Sequence, residues 1–332
     1  MSFRICIVGC GNWSTSQHGP SYARYAATHP DTELVACCDI DEDKAAAYRE
    51  KFGFARHRTD YVAMLDAEKP DAVCVLMRPN TTCEVSCRIL EMGYPVLTEK
   101  PPGETVEQID AMIAAADASG APTQVAFNRR YMPLMRELKQ RLAARFGPAD
   151  VQHVRYDLIR VGRKDPDFST TAIHGIDAAR HLADSDYAHV RFRYRELPDL
   201  GPGVANILLD CTFASGATGH LSFLPVTGIL AERGTVYAHD HTFVLHVPQS
   251  PSGVDFPGWV RHFEKGELKG ELAGPDVSGG DEGFVLNGVY AENESFFEDI
   301  RGGRRPRDDL KVARQSVEIA QYVRERRTEY TA

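Results

Sequence analysis

The sequence lacks two features that would each assign a broad class of function. It has no excess of basic residues, because 38 lysines and arginines stand against 47 aspartates and glutamates, for a net charge of −9. A protein that binds a phosphate backbone needs a basic face. It also has no apolar run near the roughly 20 residues that span a bilayer. We therefore expect no nucleic acid and no membrane as a partner.

The eight cysteines do not have the spacing of a structural metal site. Four of them lie in apolar strand-like runs, where cysteine acts as a small hydrophobe. Cys83 and Cys87 are one helical turn apart and could form half of a metal site, but no second pair accompanies them. We predict reduced thiols and no metal. Because the chain enters a strand at once, without a signal peptide, we also predict a cytoplasmic location.

The first 127 residues alternate short apolar runs with helical patterns. The runs are continuously apolar, as in a parallel sheet that is covered on both faces. A helix at 106–119 has Thr105 and Gln108 as a capping pair and Gly120 as its stop. The pattern predicts a Rossmann-type, doubly wound α/β domain over residues 1–127. Its predicted strands are 3–8, 34–38, 72–77, 95–98 and 123–127.

Past about residue 150, apolar residues recur at every second position, and glycine or proline marks the turns between the segments. This predicts a large, mostly antiparallel open sheet with one wetter face. Helices are predicted at 170–183, 288–301 and 309–326. We assign residues 128–332 to an α+β domain that binds substrate and forms oligomers. Its predicted strands are 151–160, 189–197, 205–214, 217–226 and 235–247.

Two glycines, Gly9 and Gly11, follow the first predicted strand directly. The first can make a tight turn, and the second lets the backbone approach a pyrophosphate. The usual third glycine is replaced by Ser14. Asp39 ends the second strand, where a carboxylate accepts hydrogen bonds from both adenosine ribose hydroxyls and repels a 2′-phosphate. We predict a dinucleotide site that prefers NAD to NADP; the alternative is a pair of glycines that only make a turn.

Two further segments carry candidate chemistry. Glu99 and Lys100 end a strand and lead into Pro101, which disfavours helical conformations of the lysine and holds it extended. Strand ends of this kind face the ligand crevice in open α/β sheets. His174 and Asp177 lie three apart on one predicted helical face, and imidazole suits proton transfer near neutrality. The alternative for this pair is a half-exposed helix with two unrelated polar residues.

Two other histidine patterns are not predicted to bind a metal. His181 falls near the face of His174, but its place beside Leu182 indicates the edge of a core. Within the predicted strand 235–247, alternation sends Asp240 to the face opposite its two histidine neighbours. We interpret that stretch as a solvated sheet face.

With these residues in view, the chain resembles the Gfo/Idh/MocA family of NAD(P)-dependent oxidoreductases nearly end to end. The most specific element is EKP at 99–101, which follows a strand that comes after a helix and a glycine. The segments 126–133, 173–177 and 296–320 also match the pattern of the family. The resemblance implies an inositol or sugar dehydrogenase that transfers a hydride between NAD(H) and a secondary alcohol or ketone.

The resemblance also implies roles for individual residues. Lys100, His174 and Asp177 would be the catalytic residues: Lys100 would contact the substrate oxygen, His174 would transfer the proton, and Asp177 would bind the substrate beside it. The second domain would form a homodimer or homotetramer through its sheet. The predicted substrate contacts are Lys100, Arg129, Thr170, His174 and Asp177. The predicted cofactor contacts are Gly9, Gly11, Asn12, Trp13, Asp39, Ile40, Arg78, Asn80, Glu99, Lys100 and Asn128.

The sequence departs from the family at several predicted site positions. Thr170 stands where inositol-dehydrogenase-like members carry an aspartate, and Cys83 stands where the family often has histidine. Arg78, Arg129 and Arg130 would add positive charge, which suggests a substrate with a carboxylate or phosphate. Alternatively, these arginines pair with carboxylates of the protein or bind the pyrophosphate of the cofactor.

Two other functions remain open from the sequence. One is an NAD-dependent glycoside hydrolase, which this family also contains and in which the hydride leaves and returns within one turnover. The other is a non-catalytic nucleotide-sensing protein that kept the fold.

Overall fold

The computed structural model describes residues 2–332, which divide into two compact units. The first unit runs to Asn128 and also includes Gly288–Val317, while the second contains Arg129–Asn287 and Glu318–Ala332. Among the helices in residues 2–332, none combines the length and the apolar character needed to cross a membrane.

The first unit is built on a six-stranded sheet in which every paired strand is parallel. The strand order is β3-β2-β1-β4-β5-β6, the order of dinucleotide-binding sheets. This confirms the predicted doubly wound fold. The strands are β1 (Phe3–Val8), β2 (Thr32–Cys38), β3 (Arg56–Arg58), β4 (Ala72–Val75), β5 (Val96–Glu99) and β6 (Thr123–Ala126), and the helices between them are α1 (Gly19–Thr28), α2 (Glu42–Phe52), α3 (Tyr61–Glu68), α4 (Pro79–Glu91) and α5 (Val106–Ser119).

The chain returns to the first unit near its end. Helix α10 (Val289–Arg301) buries Phe297 against Tyr25, with ring centroids 4.9 Å apart, and Gln124 donates a hydrogen bond to the backbone oxygen of Glu292 at 2.9 Å. These contacts complete the core of the first unit. The predicted boundary, which assigned all of 128–332 to the second domain, therefore differs from the structure for Gly288–Val317.

The second unit carries a nine-stranded sheet in the order β14-β13-β12-β11-β7-β10-β9-β8-β15. Only β7 and β10 pair in parallel among its described strands, so the sheet is mostly antiparallel, as predicted. The strands are β7 (Val151–Ile159), β8 (Tyr187–Glu196), β9 (Ala205–Phe213), β10 (Thr218–Leu224), β11 (Ala231–Ala238), β12 (His241–His246), β13 (Trp259–Glu264), β14 (Glu267–Ala273) and β15 (Glu329–Thr331). The remaining helices are α6 (Pro133–Ala143), α7 (Ser169–Ala183), α8 (Gly274–Ser278), α9 (Gly283–Leu286) and α11 (Leu310–Arg324), of which α11 begins in the first unit.

The predicted strand 235–247 is wrong, because it contains a hairpin. Strands β11 and β12 pair antiparallel, and Asp240 occupies the turn between them with a φ of 60°. The strand alternation used to place Asp240 therefore does not apply. The side chain of His239, also in the turn, is 84% exposed.

The second unit holds a buried group of charges around Glu232. This glutamate is fully buried and accepts hydrogen bonds from Arg129 at 3.0 and 3.1 Å, from Arg160 at 2.5 Å and from the hydroxyl of Tyr156 at 2.6 Å. Burial acts to raise the pKa of Glu232, but the two guanidinium groups outweigh it and hold the pKa at about 2. The carboxylate is therefore charged throughout the neutral range.

Replacement of Glu232 by glutamine should leave two buried guanidinium groups without their countercharge. We expect Glu232→Gln to lower the free energy of unfolding by about 3–5 kcal/mol, measured by urea denaturation at pH 7. Glu271→Gln, which removes an exposed partner of Arg261, is the matched control and should change the free energy of unfolding far less, because water screens an exposed ion pair. An equal loss of unfolding free energy in the two variants would contradict the stabilising role of Glu232.

The same glutamate predicts a dependence of stability on pH. Because folding depresses the pKa of Glu232, its contribution is fully present above the unfolded pKa of about 4.3 and is lost as pH falls towards about 2. The difference in unfolding free energy between the wild type and Glu232→Gln should therefore shrink across that range. A difference that stays constant from pH 5 to pH 2 would contradict this prediction.

Candidate active site

The turn after β1 has the geometry expected of a pyrophosphate cradle. Gly9 has a φ of 106°, and a Cβ added there would lie 2.2 Å from the backbone oxygen of Leu76, so no other residue fits. A Cβ added at Gly11 would meet no atom within 4 Å, which leaves open space beside the backbone. The two predicted glycine roles, a tight turn and room for a ligand, are both compatible with this geometry.

Asp39 supports this turn from the end of β2. One of its carboxylate oxygens accepts the backbone N–H of Cys10 at 2.8 Å, and the other accepts that of Asp41 at 3.0 Å. A carboxylate has about four lone-pair sites, so each oxygen can still accept a hydrogen bond from a ribose hydroxyl. The neighbouring Ile40 is 91% exposed.

The helix that follows the turn begins with an irregular segment, the π-helix Ser14–His18. Ser14, which replaces the third glycine, is buried, and its hydroxyl is hydrogen-bonded to that of Tyr48 on α2 at 2.9 Å. The serine therefore has a packing role of its own. Wider helical turns of this kind are frequent at functional sites.

Glu99, the last residue of β5, joins the glycine turn to the lysine. Its Oε1 accepts the indole N–H of Trp13 at 2.7 Å and contacts Nε2 of His18 at 2.9 Å. Its Oε2 accepts the backbone N–H of Lys100 at 3.0 Å. Both oxygens of this buried carboxylate thus bind protein donors, so Glu99 positions its neighbours; its predicted contact with the cofactor stays a prediction.

The charge of Glu99 is stabilised although the residue is buried. Burial acts to raise the pKa of Glu99, but hydrogen bonding and charge from His18, with further contributions from Lys100 and Trp13, outweigh it and lower the pKa. His18 is itself fully buried, and its Nδ1 lies 3.3 Å from Oδ1 of Asn293 on α10. No pattern in the sequence indicates that His18 and Asn293 are in contact, because the two residues are 275 positions apart.

Several predicted cofactor contacts lie exposed at the carboxyl edge of the first sheet. Gly11, Asn12, Arg78 and Asn80 are all exposed, and Trp13 keeps 42% of its surface accessible although its N–H is bound to Glu99. Among the described residues of the first unit, Trp13 and Ile40 are the only large hydrophobic side chains that are exposed. Asn128, by contrast, is buried.

In the second unit, α7 carries His174, Asp177 and Thr170. The helix lies close to the sheet at Gly175, where a Cβ would come within 2.5 Å of the ring of Phe223. His174 is 7% exposed and Asp177 is 1% exposed, while Thr170 is partly exposed. The helix is therefore mostly buried, and the alternative of a half-exposed helix is wrong.

The two arginines after β6 are held by buried carboxylates of the second unit. Arg129 binds Glu232, and Arg130 binds Asp177 through two hydrogen bonds of 2.7 and 2.8 Å. The structure thus shows the alternative in which these arginines pair within the protein. It also gives Asp177 a positioning contact beside His174, and the predicted catalytic role of Asp177 stays a prediction.

The thiols and the candidate metal ligands can be placed as well. All eight cysteines are free, and six of them are buried, while Cys83 and Cys87 are partly exposed on α4. Within residues 2–332 no group of three or more histidine, cysteine, aspartate or glutamate side chains is arranged to hold a metal ion.

Comparison with known proteins bears on the first unit most directly. Residues 3–127 match the Gfo/Idh/MocA family model, described as an oxidoreductase family with an NAD-binding Rossmann fold. The chain is 35% identical over 139 residues to D-glucoside 3-dehydrogenase of Escherichia coli K12, and 31% identical over 188 residues to inositol 2-dehydrogenase 2 of Saccharopolyspora erythraea. These matches cover 42% and 55% of the chain, and only 38% and 54% of the relatives.

Solved structures are similar over the whole chain. A Gfo/Idh/MocA oxidoreductase from Vibrio cholerae has a TM-score of 0.81 at 18% identity and covers 98% of both chains. A levoglucosan dehydrogenase in complex with NADH and levoglucosan has a TM-score of 0.83 at 17% identity, covering 100% of this chain and 99% of its own. At these identities the likeness shows the fold. The resemblance seen in the sequence is therefore confirmed for the Rossmann unit, whose residues 3–127 match the Gfo/Idh/MocA oxidoreductase family model, while the rest of the chain shares the fold of these structures.

Proposed function

We propose that the protein is an NAD-dependent dehydrogenase that acts on a secondary alcohol of a sugar, cyclitol or related polyol, or on the corresponding ketone. The observation that carries this proposal is the hydrogen bonding of Glu99, which joins Lys100 to Trp13 of the glycine turn. A lysine fixed at that strand end is suited to bind a substrate oxygen beside the cofactor.

Two features at the edge of the first sheet support a dinucleotide site. The open space at Gly11 suits the pyrophosphate, and the oxygens of Asp39 suit the ribose hydroxyls. The two exposed hydrophobic side chains of this unit would serve the two ends of the cofactor. Ile40 lies beside Asp39 and would pack against the adenine, while Trp13 is held beside Lys100 and would pack against the nicotinamide end.

When bound, the cofactor would supply hydride transfer at the alcohol carbon, and the residues of the chain would handle the oxygen and its proton. Lys100 donates a hydrogen bond to the alcohol oxygen and stabilises the negative charge that develops there. His174 accepts the hydroxyl proton as a general base, and it returns the proton as an acid when the ketone is reduced. Asp177, held by Arg130, would keep the helix of His174 in place.

The named relatives support the substrate class. Two are dehydrogenases of a glucoside and of inositol, and a similar structure binds NADH and levoglucosan. Because Arg129 and Arg130 are paired with carboxylates, two of the three cations that suggested a charged substrate no longer support it. We therefore propose a neutral polyol or sugar.

The open sheet of the second unit remains our proposed site of self-association. Its outward positions include Tyr237, 39% exposed, and Leu268, 51% exposed, among polar neighbours. We propose a homodimer or homotetramer through this face, and the cytoplasmic location stays a prediction.

Removal of the Lys100 ammonium group should reduce turnover strongly. We expect Lys100→Met to lower kcat by about 100- to 1,000-fold, because the developing charge on the oxygen loses a donor. The assay follows NADH absorbance with a panel of inositols, aldoses and sugar acids. Sustained NADH production also separates a dehydrogenase from a glycosidase that returns its hydride.

The matched control is Lys311→Met, which removes an exposed lysine that pairs with Asp117 and should leave turnover unchanged. The affinity of Lys100→Met for NADH should stay within a few-fold of the wild type, measured by fluorescence titration. Full turnover in Lys100→Met would contradict the proposed role of this lysine.

The carboxylate of Asp39 should set the preference for NAD. We expect Asp39→Ala to lower kcat/KM for NAD by about 10- to 100-fold through lost charged hydrogen bonds, and to raise the NADP to NAD ratio because the repulsion of the 2′-phosphate is lost. Asp43→Ala removes a nearby exposed carboxylate as the control. An unchanged ratio in Asp39→Ala would show that another feature selects the cofactor.

A further inference from the structure

Cys83 and Cys87 form a pair that the proposed reaction does not use. Both lie on α4, four residues apart, with their sulfur atoms 4.0 Å from each other. They are also the only two of the eight cysteines that are partly exposed; the other six are buried. These two residues are therefore the cysteines of the chain that are most accessible from solution.

The geometry disfavours a disulfide between them. A disulfide needs a sulfur–sulfur distance of about 2.05 Å and Cβ atoms about 3.5–4.5 Å apart. Residues four apart on a helix have Cβ atoms about 5–6 Å apart, so a disulfide would distort α4. The helix is regular from Pro79 to Glu91 and packs against α5.

The observed separation suits one soft ion between the two sulfurs. Two metal–sulfur bonds of about 2.3 Å in line span about 4.6 Å, so the sulfurs, 4.0 Å apart, need to separate by only about 0.6 Å to share one two-coordinate ion. Within residues 2–332 no third histidine, cysteine or carboxylate completes a larger ligand set, so the pair fits an ion that accepts low coordination. Thiolate ligands select copper in its monovalent state among such ions.

We propose that Cys83 and Cys87 bind one Cu(I) ion as a two-sulfur site. The ion replaces the two thiol protons, so two protons are released and two copper–sulfur bonds form, without any change of oxidation state. Binding also removes the hydrogen bond, 3.4 Å long, from the thiol of Cys83 to the backbone oxygen of Gln108.

That hydrogen bond connects the site to the segment that follows Lys100. Gln108 lies in the first turn of α5, where its side chain accepts the backbone N–H of Glu104 at 2.6 Å and its own N–H is bound by Thr105 at 3.2 Å. Copper bound at Cys83 therefore acts on the start of α5, and through it on the chain between Lys100 and that helix.

The test is an anaerobic titration of the full chain with Cu(I) held by bathocuproine disulfonate, read by the absorbance of the copper–chelator complex. The wild type should remove one equivalent of copper from the chelator. Cys83→Ser and Cys87→Ser should each remove none, with unchanged circular dichroism and Tm. Cys211→Ser, a buried thiol in the second unit, is the control and should still remove one equivalent.

Two results would overturn the proposal. One is a wild type that removes no copper from the chelator at concentrations where a two-thiolate peptide does. The other is a Cys83→Ser/Cys87→Ser double variant that still removes one equivalent, because copper would then be bound elsewhere. Neither result depends on whether the chain is a dehydrogenase, since the readout contains no turnover.

Discussion

The carboxylate of Glu99 is the contact on which the candidate site of the first unit depends. It binds the backbone of the residue that follows it, one side chain from the turn after β1 and one from the π-helix Ser14–His18. A buried carboxylate is costly unless its oxygens are satisfied, so the three donors and the acceptor stabilise one another. The result is a lysine, an indole and a glycine turn in one fixed arrangement before any ligand binds.

In the second unit, another buried carboxylate also holds its neighbouring side chains in position. Glu232 neutralises guanidinium groups from two different segments and also holds Tyr156, whose ring lies against α7 at Gly175. The helix that carries His174 thus rests on a polar cluster that is fixed by charge. In both units, catalytic side chains of the proposed reaction are supported by acids that would not themselves touch substrate.

The sequence predicted the elements whose signals are local. The continuous apolar runs of β1 and β5 and the cap and stop of α5 all appear close to their predicted bounds. Strand β3, with the sequence RHR, has no apolar pattern because it lies at an edge of the sheet, and the hairpin at His239 and Asp240 lacks glycine. The formation of such elements depends on contacts with residues that are distant in the sequence, and a single sequence does not reveal those contacts.

The same limit applied to the candidate site. The glycines, Asp39 and Lys100 were predictable because each follows a strand and carries a type of chemistry that the fold requires there. The partners of Arg129 and of His18 were not, because Glu232 and Asn293 are 103 and 275 positions away along the chain. From the sequence alone, an arginine is equally compatible with binding substrate and with pairing with a carboxylate of the protein.

The late return of α10 to the first unit has a consequence for biosynthesis. Phe296 and Phe297 belong to the same apolar cluster as Phe3 and Tyr25, so the core that includes Phe3 is completed only by residues that follow the whole segment Arg129–Asn287 of the second unit. A ribosome must therefore deliver the whole intervening unit before the nucleotide-binding half can close. Until α10 has been made, Phe3 and Tyr25 lack part of their packing, and incompletely packed domains of this kind are exposed to aggregation and proteolysis.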